Sequence, residues 1–195
     1  MQPLLLHEKA AWLALVVLAG GWVATEAALQ LNARLRGART QADWTLFVAL
    51  DSIAVATTAL AVPLAWIRAT QLGGGYWPVA VGLALYAAGV ALRLWALLTL
   101  GRLFTLGVGI QAGHHLVVDG PYRFVRHPSY TGVLIASLGL GIALANWLSI
   151  AALALVPLPA ALARISVEER TLIATFGEDY RRYSRSRPRL LPGIW

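Results

Sequence analysis

Two stretches of this chain concentrate side chains that can hold a polar ligand, and a long uncharged stretch separates them. The first is Gln111-Ala112-Gly113-His114-His115-Leu116-Val117-Val118-Asp119-Gly120-Pro121-Tyr122-Arg123-Phe124-Val125-Arg126-His127-Pro128-Ser129-Tyr130-Thr131-Gly132. Gly120-Pro121 and His127-Pro128 are turn signals, so much of this backbone is expected to lie outside regular structure. A loop of that kind offers exposed N–H and C=O groups to a polar ligand at a membrane boundary. The second stretch begins at Arg164 and runs through Glu168 and Glu169 to Phe176-Gly177-Glu178-Asp179-Tyr180, with Tyr183 beyond. Arg164 and Glu168 are four residues apart and share one face of a helix. A cation and an anion held together there can bind two oppositely charged ligand groups.

Other readings of these residues are weaker. His114, His115 and His127 could suggest a metal centre, but adjacent histidines lack the i,i+4 geometry of helical ligands. The chain also has no cysteine, which excludes thiolate ligands, disulfides and cysteine nucleophiles, so no metal is expected. Arg123, Arg126 and His127 could instead anchor lipid headgroups. Arg181, Arg182, Arg185, Arg187 and Arg189 read as contacts to anionic lipid rather than as catalytic groups.

The run His-x-Leu-Val-x-x-Gly-Pro-Tyr-Arg-x-Val-Arg-His-Pro-Ser-Tyr-x-Gly from His114 resembles the signature of the isoprenylcysteine carboxyl methyltransferase family. So does Arg164-x-x-x-Glu168-Glu169-x-x-Leu172-x-x-x-Phe176-Gly177-x-x-Tyr180-x-x-Tyr183. The resemblance spans about Gln111 to Pro192, with Asn146 at a family turn position, and it looks like a prokaryotic-type member. It implies S-adenosylmethionine as methyl donor, bound between a cytosolic loop and the last membrane helix. The cofactor contacts it implies are Gln111, His114, His115, Leu116, Val117, Tyr122, His127, Pro128, Ser129, Tyr130 and Glu168, with Arg164 holding the substrate carboxylate. In those roles Leu116 and Val117 flank the adenine, and Glu168 takes the ammonium of the methionine moiety. A carboxylate acceptor is already ionised at neutral pH, so no general base is required. The acceptor implied is lipophilic and enters from the bilayer. Methylation of a phospholipid amine or small thiol is the near alternative. A sterol-reductase-like oxidoreductase using NADPH is the rival class, because sterol reductases carry a related Arg-His-Pro-like segment.

The elements that must position these blocks are apolar. Of 195 residues, 58% are hydrophobic and only 13% charged, about half the usual charged share of a soluble domain. The net charge of +7 belongs to arginines flanking apolar runs, which argues against nucleic acid as a partner. Ala10–Leu31, about Trp44–Ile67 and Trp77–Leu100 each approach the ~20 residues that cross a ~30 Å hydrocarbon layer. The first reads as a retained helix, not a cleaved signal. Tyr130–Ala163 carries no charge and is too long for one crossing. Asn146 near its middle, with Pro157 and Pro159, predicts a helical hairpin of arms Tyr130–Ala145 and Leu148–Ala163. Those arms are short for full spans.

The fold expected is therefore an all-α integral membrane protein of about five transmembrane helices, with a helical hairpin, a cytosolic cofactor-binding loop and a C-terminal helix. Residues 1–100 would form a three-helix membrane region and 101–195 the catalytic region. The arginine-rich loops alternate, so the positive-inside rule puts the N-terminus outside and the C-terminus in the cytoplasm; the prokaryotic-type resemblance implies the plasma membrane of a prokaryote. Glu26, Asp51 and Arg93 are ionisable groups at membrane depth; an internal network fixing helix packing is their expected role.

Overall fold

A computed structural model of the chain describes residues 18–24, 28, 41–73, 75–103 and 116–193. Among them the regular structure is helical: α1 (Gln41–Leu64), α2 (Trp77–Leu100), α3 (Pro128–Ala143), α4 (Trp147–Leu155), α5 (Pro157–Phe176) and α6 (Glu178–Ser186), with residues 18–24 helical as well. The second and third expected spans are α1 and α2, the latter with the boundaries predicted. The first expected span, Ala10–Leu31, falls largely outside the described residues, and with it the expected count of five crossings. Two described stretches, Trp77–Leu100 and Trp147–Phe176, are long and apolar enough to cross a membrane. The 24 residues of α2 give a rise of about 36 Å.

The α2 helix shows why composition and packing agree. Its buried residues are Pro78, Gly82, Gly89, Arg93 and Ala96, while Leu94, Trp95 and Leu98 stand exposed. A water-soluble helix buries its large apolar side chains; here small residues face inward and large ones outward, as in helices solvated by lipid. Against that small-residue face packs α3, itself lined by Gly132, Ala136, Gly139 and Ala143. A methyl group built on Gly132 would stand 2.6 Å from the Gly89 carbonyl oxygen and 2.7 Å from the Arg93 nitrogen. One built on Gly139 would stand 2.7 Å from the Gly82 oxygen. The two backbones are in direct contact, which only glycine permits.

The hairpin forms about the predicted residue. Asn146 is fully buried and caps α4, its Oδ1 accepting from the Leu148 and Ser149 amides at 2.9 and 3.2 Å. Its Nδ2 donates to the Ile67 carbonyl at 3.2 Å and to Thr70 Oγ1 at 2.9 Å. Ser149 Oγ donates to the Ala61 carbonyl at 2.7 Å, and the Leu72 amide to the Ala145 carbonyl at 2.8 Å. One amide thus closes the hairpin tip and fastens it to the end of α1. Asn146→Ala is expected to cost about 2 kcal/mol, an N-cap plus two part-buried acceptors left with one donor fewer. A lowered midpoint of denaturant unfolding in detergent checks this; an unchanged midpoint would refute it.

The second arm is not one rod. The α4 helix ends at Leu155, and α5 begins at Pro157, whose missing N–H suits a first helical turn. At 16 residues, α3 is short for a crossing, as expected. The chain returns at its other end through Gly120–Arg123, a 3-10 turn packed on the end of α2, where Gly120 adopts φ +56° against Thr99. The hairpin tip and both polar blocks therefore lie at opposite ends of α2 and α3.

Candidate active site

Three elements meet where α3 begins: the turn Gly120–His127, the first residues of α3, and α5 beyond its apolar half. Tyr122 is buried, and its hydroxyl reaches the Ala96 carbonyl of α2 at 3.5 Å. Ser129 Oγ accepts from Arg93 Nη1 at 3.0 Å, and Arg93 also lies over the Trp22 ring at 5.6 Å. Arg93, expected only to fix helix packing, thus joins the site to α2; its charge acts on both Tyr122 and Tyr130. Glu26 and the side chain of Asp51 lie outside the described residues.

On α5, Arg164 lies over the Tyr130 ring, 5.5 Å from its centroid. Glu168, one turn further, lies close enough for its charge to act on Tyr130 and on Tyr122. Tyr122, Tyr130, Arg164 and Glu168 therefore form one cluster drawn from three elements. Burial pushes the Tyr122 phenol above its ordinary range, and the Glu168 charge adds to that shift. Burial likewise pushes the Tyr183 phenol up to about 12, against the pull of Arg187 and Arg126. Both phenols stay protonated at neutral pH and act as donors, not bases. Leu116 and Val117 are half-buried in irregular chain leading into the turn. Gln111, His114 and His115 lie outside the described residues.

Pro128 and His127 are buried, and His127 is turned toward Glu169. Its Nε2 lies 3.3 Å from Glu169 Oε1, whereas Nδ1 is 3.8 Å from Glu168 Oε2, beyond hydrogen-bond reach. Glu169 is the residue that sequence reading left without a role. Arg126 Nη1 donates to its Oε1 at 2.5 Å, and Arg189 Nε and Nη2 donate to its Oε2 at 3.1 and 2.9 Å. Adjacent helical residues point about 100° apart, which divides the two carboxylates. The Glu168 side chain is 34% exposed and the Glu169 side chain 9%. One looks into the open side of the site and the other inward.

Arg126 and His127 are held by Glu169, which weighs against the alternative of headgroup anchors; Arg123 remains exposed, over the Phe124 ring at 4.4 Å. Arg189 is a partner of Glu169 rather than a lipid contact, whereas Arg181 and Arg185 stay exposed beside Glu178. The signal for Glu169 was present in its adjacency to Glu168, but which of two neighbouring carboxylates faces inward depends on helix rotation.

Comparison with known proteins bears on the same segment. Residues 80–174 match the isoprenylcysteine carboxyl methyltransferase (ICMT) family. Protein-S-isoprenylcysteine O-methyltransferase B of Arabidopsis thaliana is 38% identical over 121 residues, 61% of this chain and 61% of that protein. Protein-S-isoprenylcysteine O-methyltransferase of Schizosaccharomyces pombe is 37% identical over 108 residues, 54% of this chain and 46% of that one. The solved structure of the eukaryotic intramembrane Ras methyltransferase ICMT aligns with a TM-score of 0.59 and 30% identity, covering 78% of this chain and 50% of that one. This chain therefore spans about three fifths of the plant relative's length and half of the solved one's. These relatives are eukaryotic and lend no support to a prokaryotic-type assignment. The ICMT match begins inside α2 and ends inside α5, so it contains the whole Tyr122–Tyr130–Arg164–Glu168 cluster.

Proposed function

We propose that the chain is an integral membrane S-adenosylmethionine-dependent methyltransferase of the ICMT family. It methylates the carboxyl group of a lipophilic, isoprenylcysteine-like acceptor. The observation carrying this reading is the half-exposed Glu168 set one helical turn from Arg164, both against Tyr130. A carboxylate and a guanidinium on one helix face can receive, respectively, a ligand ammonium and a ligand carboxylate. Together with the half-buried apolar pair Leu116 and Val117, this donor set fits the cofactor's ammonium and adenine.

When bound, the cofactor supplies a methyl group activated on a sulfonium. The protein's contribution is positioning. Glu168 takes the ammonium end, with Leu116 and Val117 bracketing the base and Tyr122, His127, Pro128, Ser129 and Tyr130 closing the wall. Gln111, His114 and His115 complete the contacts implied by the family. Arg164 aligns the acceptor carboxylate and keeps it ionised as water leaves, since an adjacent cation favours the charged form. Holding the two reactants in line, with no proton to move, is the principal source of rate. The acceptor reaches this end of the helices from the bilayer and the cofactor from the cytosol. Residues 101–195 carry the catalytic groups and 1–100 the membrane region, with the C-terminus cytoplasmic.

Purified protein in detergent is expected to bind labelled S-adenosylmethionine and not NADPH; the opposite result would favour the reductase reading. Glu168→Ala is expected to weaken cofactor binding roughly 10- to 100-fold, the value of one or two charge-assisted hydrogen bonds. Undiminished binding would remove Glu168 from this role. Mass spectrometry of lipids and proteins labelled by a methyl-deuterated cofactor identifies the acceptor.

A further inference from the structure

The chain after α6 turns back across the site. The amide of Arg126 donates to the Pro188 carbonyl at 2.9 Å, that of His127 to the Arg189 carbonyl at 3.0 Å, and Thr131 Oγ1 to the Leu190 carbonyl at 2.7 Å. This segment therefore supplies acceptors to the His127-Pro128 turn at Arg126 and His127 and again at Thr131. Independently, the Arg189 side chain reaches Glu169, the carboxylate that also holds Arg126 and His127. The Tyr180 hydroxyl of α6 stands 3.5 Å from Glu169 Oε1, and the Tyr183 hydroxyl donates to the Tyr122 carbonyl at 2.7 Å. Four segments, the turn, α5, α6 and the returning chain, thus converge on one inward carboxylate.

We propose that residues 187–190 form a strap built into the site, and that Glu169 is the positioning residue through which the strap fixes the His127 turn. Glu169 touches no ligand in this role. It holds three cationic or polar side chains whose backbones carry the wall of the cofactor site. Buried against two guanidiniums, the carboxylate cannot leave without stranding both charges, so the turn is held in one arrangement. The adjacent Glu168 is then presented outward from a helix whose rotation the inner cluster has fixed. The role assigned to the strap rests on the methyltransferase reading only for the identity of the ligand.

The full chain lacks cysteine, so Leu191→Cys offers a single site for a spin label beside the strap, at a side chain that is exposed. With Glu169 intact, the label is expected to report a restrained segment. Glu169→Gln and Arg189→Ala, each combined with Leu191→Cys, are expected to release it. The same two substitutions should weaken S-adenosylmethionine about tenfold, with the loss falling on the cofactor KM more than on kcat. Arg189→Lys should keep part of both. A label as restrained in Glu169→Gln as in the parent overturns Glu169 as the residue that holds the strap, whether or not the cofactor binds. A released label with unchanged cofactor affinity overturns the positioning role. If the parent protein does not bind S-adenosylmethionine, the proposed function falls and the positioning role with it, while the label still decides whether Glu169 holds the strap.

Discussion

Arg164→Ala is expected to lower kcat/KM for a prenylated carboxylate acceptor by roughly 100- to 1000-fold, equivalent to about 3–4 kcal/mol of lost charge-assisted hydrogen bonding. S-adenosylmethionine binding should change far less, because Glu168, a full turn away, takes the cofactor's ammonium. The size of the effect follows from two losses. A planar guanidinium receives a carboxylate through two parallel bonds, and its charge is what keeps that carboxylate ionised once water has left. Arg164→Lys keeps the charge but not the fork, and should recover only part of the activity. Arg164 is also half-buried over the Tyr130 ring, so its guanidinium is oriented before any ligand arrives. The measurement is initial-rate kinetics in detergent or reconstituted vesicles, with cofactor affinity taken from direct binding. Full activity in Arg164→Ala would place the acceptor carboxylate elsewhere.

The way these residues meet shows what the sequence could and could not disclose. Spans and turns were legible because each is a local property. The α2 helix keeps its predicted limits, since a proline opens it and an apolar run broken only by Arg93 fills it. Asn146 marks the hairpin tip because an amide at a helix start can cap while its nitrogen bonds outward. That Arg164 and Glu168 share one helix face followed from their spacing. What stayed hidden were the long-range partners: Ser129 for Arg93, Tyr122 for Tyr183, and above all Glu169 for Arg126, His127 and Arg189. None of these is encoded by spacing. Each depends on how α2, α3, α5 and the returning segment are brought together, and an arginine that closes an internal cluster reads in sequence like one that faces lipid. Residues 111 and 114–115 lie outside the described chain, so their place in the site still rests on the family motif.

Gly132→Val is expected to abolish the native packing of α2 on α3, at a cost above about 4 kcal/mol, the upper end for single substitutions. Even the first added carbon would stand 2.6 Å from the Gly89 oxygen, 2.7 Å from the Arg93 nitrogen and 3.0 Å from Arg93 Cβ. Those neighbours are backbone or the stem of a buried side chain, so no flexible tip can yield; the helices must separate. In lipid there is little hydrophobic gain to offset this, because helix association there depends on close backbone contact. The consequence reaches the site, since separation draws Arg93 from Ser129 and the Ala96 carbonyl from Tyr122. Gly132 stands within the Tyr-x-Gly end of the first motif, yet its requirement is one of packing, not of ligand contact. Gly132→Ala should therefore lower unfolding midpoint and activity together. Gly73→Ala, where a methyl group meets nothing within 4 Å, should leave both nearly unchanged. A folded Gly132→Val protein with the parent midpoint would show that α2 and α3 do not meet through this surface. A stable variant that had lost only cofactor binding would move Gly132 into the site itself.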